Sequence, residues 1–165
     1  MKALIVYESA WGNTKAVAEA IGEGLSSHVH SEVVAVLDAP SLDQIETDLL
    51  IVGAPTHAFG LSRPTTREDA HQRGGELLEF GIREWLESDP VSLRLATFDT
   101  HVRHPNLPGH AGQKAAKKLK KLGCTILANS ESFFVEGYEG PLLPGELDRA
   151  RKWGQDLATR LRNHG

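Results

Sequence analysis

Short apolar runs alternate with stretches of helical periodicity along the whole chain, and this alternation restricts the fold more than any other feature. The runs are residues 2–7, 33–37, 49–52, 93–98 and a broken last one, 125–128 followed by 132–135. They are rich in β-branched residues and bounded by Gly, Pro and Asp. Near-continuous apolar strands suit a parallel sheet covered on both faces. Between them, residues 14–26, 41–47, 75–87, 110–122 and 145–162 place apolar side chains at helical spacing, the second only weakly. Five strands alternating with five helices imply right-handed crossovers and a doubly wound α/β sheet.

The remaining composition narrows the function classes. At 165 residues the chain is read as one domain, 1–165, large enough to bury a core without staples. Its net charge of −4 gives no general electrostatic grip on nucleic acid. A single cysteine, Cys124, excludes an internal disulfide and a cysteine-built zinc site. The apolar opening is too short for a signal peptide, and no run reaches membrane-spanning length. The expectation is a cytoplasmic protein without a membrane span.

Two long connections, 55–73 and 99–109, follow the third and fourth strands, and a Gly/Pro-rich one spans 136–144. Ligands of open α/β sheets sit beyond the carboxyl ends of the strands, so the first two are placed for a site. The charged stretch Ser62–Asp69 reads as part of the first connection, a lid or substrate-facing edge if it is more than a solvated loop.

The strongest local signal is Ile5-Val6-Tyr7-Glu8-Ser9-Ala10-Trp11-Gly12-Asn13-Thr14. A strand ends in a turn of hydroxyl and amide residues, and a helix starts there. Successive N–H groups at a helix N-terminus form an anion cradle, and the helix dipole favours negative charge. Ser9 and Thr14 add hydroxyls, and Gly12 lets the backbone come close. The turn carries neither of the common nucleotide fingerprints. Read more plainly, it is a helix cap with a turn glycine.

Residues 5–14 resemble the phosphate loop of the flavodoxin family position for position, and the order of elements along the chain is similar to that family's short-chain type. The resemblance implies a flavodoxin-like fold with strand order 2-1-3-4-5 and an FMN cofactor used in electron transfer. It places the FMN phosphate at Ser9, Ala10, Trp11, Gly12, Asn13 and Thr14. It places the ring between Pro55, Thr56, His57, Ala58, Phe59 and Gly60 on one side and Phe98, Asp99, Thr100 and His101 on the other. Gly60 stands where the family has a peptide that turns toward the flavin N5.

Three departures accompany the resemblance. The family's Trp in the second loop is missing, leaving His57 or Phe59 in its place, and the third loop has no Tyr to stack on the ring. Trp11 stands where the family prefers Ser or Thr. The partners implied are FMN and either a separate electron donor or acceptor protein or a small acceptor such as a quinone. Because the ring aromatics are missing, the other reading is an interaction or regulatory module that has lost FMN.

His101, His104 and His110 lie close in sequence, but in a Pro/Gly loop with no cysteine, so no metal is expected. They read as loop or flavin-edge histidines able to donate protons to a reduced ring or a quinone. Acidic residues dominate the first half and basic ones the second, where Lys114, Lys117, Lys118, Lys120 and Lys121 crowd one helix. That run is a solvated face or a docking surface for an acidic partner.

Overall fold

The computed structural model describes residues 1–57, 59–103 and 108–164. The strands are β1 (Lys2–Tyr7), β2 (His30–Ala35), β3 (Leu49–Pro55), β4 (Arg94–Val102), β5 (Thr125–Ile126) and β6 (Glu131–Val135). The helices are α1 (Asn13–Leu25), α2 (Pro64–Gln72), α3 (Ile82–Trp85), α4 (Ala111–Leu122) and α5 (Glu146–Asn163). All strand pairs are parallel, in the order β2-β1-β3-β4-β5, with β6 also on β4. β5 and β6 are two pieces of one fifth position. β5 pairs with the start of β4 at Arg94 and Leu95, and β6 with its end from Phe98 to Val102. The doubly wound order 2-1-3-4-5 is therefore present, with its last strand broken where the sequence run is broken.

Successive residues of the central strands feed opposite cores. Ile5, Leu49, Ile51, Ala96 and Phe98 face α1 and α5. Val6, Leu50, Val52 and Leu95 face α3 and α4. This period of two, apolar on both sides, is why the strands read as continuous apolar runs. α1 and α5 pack with backbones almost touching. A Cβ on Gly24 would overlap the Arg151 carbonyl, and one on Gly154 would overlap that of Ile21.

Four expectations are corrected. The pattern over 75–87 yields only α3. Gly74 has φ +103°, the segment after it runs back to the turn after β1 through Glu76 N–H to Ala10 C=O at 2.8 Å, and Leu77 and Phe80 are exposed. Helix α2 forms inside the stretch read as the 55–73 connection. It starts with Pro64 in its first turn, where a missing N–H costs nothing. Its inward residues are Arg67 and Ala70, so no apolar stripe announced it. Residues 41–47 hold only a single 3-10 turn, Leu42–Gln44, and β2 ends at Ala35 before another such turn, Val36–Asp38. Finally, Asp99, Thr100 and His101 are strand residues of β4, paired with β6, rather than loop residues. Among the described residues, no helix is long and apolar enough to cross a membrane.

Candidate functional site

Beyond the carboxyl ends of β1, β3 and β4 lies a cavity with about 420 Å³ of empty space. Its lining includes Ser9, Ala10, Trp11, Asn13 and Thr14 from the turn after β1, Pro55, Thr56 and His57 from the end of β3, and Thr100 from β4. Three further lining residues, Val102, Val135 and Tyr138, were not anticipated.

The turn is built as an anion cradle. Gly12 has φ +91°, a conformation glycine adopts freely, and it precedes the first residue of α1. Gly12 N–H donates to Ser9 Oγ at 3.0 Å, which leaves the Ser9 hydroxyl hydrogen free to donate. Among the described residues, the N–H groups of Ala10, Trp11, Asn13 and Thr14 have no acceptor. Such a row of unmet donors at a helix start attracts an anion. The side chain of Asn13 is committed elsewhere, donating to the Glu139 carbonyl at 2.9 Å. The Thr14 and Thr100 hydroxyls meet at 2.8 Å.

Glu8, at the end of β1, is buried. It accepts from the Ser62 hydroxyl at 2.5 Å and from Ile82 N–H at 2.9 Å. Burial pushes its carboxyl above the usual range despite both bonds. It thus ties the Ser62 region and α3 to the phosphate turn.

His57 is buried at the start of a tight hairpin closed by His57 N–H to Gly60 C=O (2.8 Å) and Gly60 N–H to His57 C=O (3.1 Å). Burial, helped by the charge of Arg67, lowers its pKa to about 4, so the ring is neutral at pH 7. Thr66 Oγ1 already donates to the Arg63 carbonyl. Its 3.4 Å contact with His57 Nδ1 is therefore one in which the ring donates. Nε2 is then a bare acceptor, and it has no partner among the described residues.

Trp11 lines the same cavity with Nε1 buried and likewise unpartnered. The ring stands edge-on to Tyr138 at 5.9 Å, and the Arg73 guanidinium sits 4.8 Å over the Tyr138 face. A tyrosine thus does reach the cavity, from the loop after β6 rather than the one after β4. The glycines and proline of 136–144 were the signal for it in the sequence.

Other nominated residues lie elsewhere. Phe98 is core, edge-on to Phe133 and Trp153, with Gly53 beneath its ring. Asp99 is buried against α4, accepting Gly112 N–H at 2.9 Å; burial raises its pKa. His101 is buried on that same side, stacked on His110 with ring centres 4.4 Å apart. Neither side chain lines the cavity, because alternate residues of a strand face opposite ways. Gly12, Gly60 and Phe59 are outside its lining too, and Phe59 projects to solvent. Ala58 and His104 lie outside the described residues. Among the described residues, no three His, Cys, Asp or Glu side chains converge on a metal position.

The site meets the demands of FMN. Unmet N–H donors and a free hydroxyl suit a phosphate. Trp11 Nε1 needs an acceptor and His57 Nε2 a donor, and leaving such atoms unpaired costs about 1–3 kcal/mol each. A flavin ring and its ribityl chain carry both kinds of group.

The profile of the flavodoxin family matches residues 5–154. No curated relative is similar enough in sequence to match the chain. Among solved structures, a flavodoxin from the domain Archaea is 25% identical, with TM-score 0.68 over 98% of this chain and 99% of that one. Flavodoxin 1 from Bacillus cereus is 18% identical, with TM-score 0.67 over 100% and 99%. Megasphaera elsdenii flavodoxin is 17% identical, with TM-score 0.59 over 95% and 98%. The last two show likeness of fold alone. This chain belongs to the flavodoxin family, FMN-binding proteins of electron transfer.

Proposed function

We propose that this protein is an electron carrier whose FMN phosphate is held by Ser9–Thr14 and whose ring lies along Pro55–His57 and Thr100. The observation that carries this reading is the row of N–H groups at the start of α1 that, among the described residues, have no acceptor, beside two buried ring nitrogens that likewise have no partner there. FMN supplies the redox chemistry, taking up and giving back electrons. The chain's residues bind, orient and exclude water. The Ala10, Trp11, Asn13 and Thr14 N–H groups and the Ser9 hydroxyl receive the phosphate. Neutral His57 would offer Nε2 to an N–H of the bound cofactor and Trp11 its indole N–H to one of its oxygens, and Trp11 with Tyr138 would form an aromatic wall that keeps water from it.

The reading is a carrier rather than an oxidoreductase acting on a quinone or other small acceptor, because the charged stretch after Ser62 gives poor support to a substrate edge. That stretch forms α2, whose Arg67 is buried and paired with Glu84. Electrons would pass to and from a separate donor or acceptor protein. A buried free thiol, Cys124, suits the reducing cytoplasm.

Adding micromolar FMN to the purified protein and recording flavin absorbance and fluorescence tests the reading. A shifted band and quenched emission are expected. Unchanged spectra would instead support the module that has lost its cofactor.

A further inference from the structure

We infer that the lysine stripe of α4, together with Phe59, is a docking face for an acidic electron-exchange protein. The inference rests on the electron-carrier reading above.

The stripe is Lys114, Lys117, Lys118 and Lys121, at the spacing that puts side chains on one helix face. The opposite face, Ala111, Ala115 and Leu119, is buried. α4 contains no acidic residue, and among the described residues none of its lysines is in an ion pair. The repulsion along the stripe therefore has no internal answer. Helix stability does not explain it either. Lys120 and Lys121, in the last turn, suit the helix dipole, but Lys114 sits near the N-terminus, where a cation opposes it. Five positive charges on one helix, in a chain of net charge −4, make a dipolar surface that orients an approaching charged partner.

The second observation is apolar and independent of charge. Phe59 is 53% exposed at the tip of the His57–Gly60 hairpin. Its φ of +73° is the only positive value on a non-glycine among the described residues. A bulky residue rarely holds this conformation unless its surroundings impose it. Here the paired hairpin bonds impose it, and so does Gly109, where a Cβ would overlap the Phe59 carbonyl. The chain thus presents an aromatic ring to solvent from a constrained backbone.

The two features are neighbours. The Lys114 stem runs beside Gly60, the residue after Phe59, where an added Cβ would lie 3.7 Å from Cγ and 3.9 Å from Cε. On its inner side the same hairpin gives His57 to the cavity. An exposed apolar ring flanked by a cationic helix, one hairpin away from the cavity, fits an acidic surface that carries its own redox centre near an apolar spot.

The test uses FMN-loaded protein and two labelled probes, an acidic plant-type [2Fe–2S] ferredoxin and basic cytochrome c. Binding is read by fluorescence anisotropy at about 20 mM and about 300 mM salt. Ferredoxin is expected to bind at low salt and weaken at least about tenfold at high salt. K114Q/K117Q/K118Q/K121Q should weaken ferredoxin at least about tenfold at low salt, with FMN quenching and melting temperature retained. Its binding of cytochrome c should be unchanged or stronger. The single variant K117E should act in the same direction, and Phe59→Ser should weaken ferredoxin without changing its salt dependence. Ferredoxin binding that ignores salt or the lysine variants, or cytochrome c binding that is lost with the lysines, overturns the docking face. FMN quenching is read first, so failure of the cofactor reading is distinguished from failure of the docking face.

Discussion

The hydroxyls of Thr14 and Thr100 meet at 2.8 Å, joining the first turn of α1 to the end of β4 inside the cofactor cavity. One hydroxyl comes from the turn after β1 and the other from the end of β4. The pair couples the two halves of the site, and the hydrogen not used between them is available to a ligand oxygen.

Thr14→Ala should therefore weaken FMN about tenfold to a hundredfold, the range expected for losing a hydrogen bond to a charged group. Thr14→Ser should restore most of the affinity. Fluorescence titration with FMN checks both. Equal affinity in wild type and Thr14→Ala would remove Thr14 from the phosphate cradle.

Tyr138 stands where the cavity would otherwise lack an aromatic wall beyond Trp11. Tyr138→Ala should raise the FMN Kd about three- to tenfold, in line with one aromatic contact of about 0.5–1.5 kcal/mol. Tyr138→Phe should keep most of the affinity, because the ring rather than the hydroxyl makes the contacts with Trp11 and Arg73. Matching affinities for the Ala variant and wild type would show that the loop after β6 is not part of the site.

His57 sets an acid limit. Its unfolded pKa is near 6.5 and its folded pKa about 4, so between those values the unfolded chain binds more protons. Its contribution to stability is present above about pH 6.5 and lost as the pH falls toward 4, on the order of 3 kcal/mol in all. Thermal melts across that window should fall less steeply with acid for His57→Gln than for wild type. Parallel slopes would contradict the lowered value.

Glu8 acts in the opposite sense. Its folded pKa is raised, so its contribution is present below about 4.5 and lost as the pH rises through the folded value. A glutamine at this position accepts from Ile82 N–H and donates to Ser62 Oγ without ionising. Glu8→Gln should leave the melting temperature near wild type at pH 4 and raise it at pH 8. Glu8→Ala should cost about 1–3 kcal/mol by stranding both partners. Differential scanning fluorimetry at the two pH values separates these outcomes.

Gly53 lies under the Phe98 ring, and a Cβ there would overlap it. Gly53→Ala should destabilise by about 1–3 kcal/mol, the usual cost of overpacking a close-packed core. A melting temperature unchanged from wild type would mean that Phe98 has room to move.

The sequence by itself determined the sheet, its two covered faces, the long helices α1, α4 and α5, and the glycine turn with free N–H groups after β1. Each follows from local chemistry. Strands buried on both sides must be continuously apolar, amphipathic helices show their stripe, and an anion cradle needs its glycine and hydroxyls within a few consecutive residues. Only the tertiary structure decided which side of β4 each residue serves. Asp99 and His101 flank a cavity residue, Thr100, yet a strand turns alternate side chains away from one another, whereas Phe98 shares the side of Thr100 but lies deeper, edge-on to Phe133 and Trp153 in the core. It likewise decided α2, whose inward residue is the paired Arg67 rather than an apolar one, and α3, which begins where the distant Glu8 carboxylate meets Ile82 N–H. The aromatic wall follows the same logic. Trp11 and Tyr138 are far apart along the chain, and only the return of the loop after β6, tied by Glu139 to Asn13, brings their rings together.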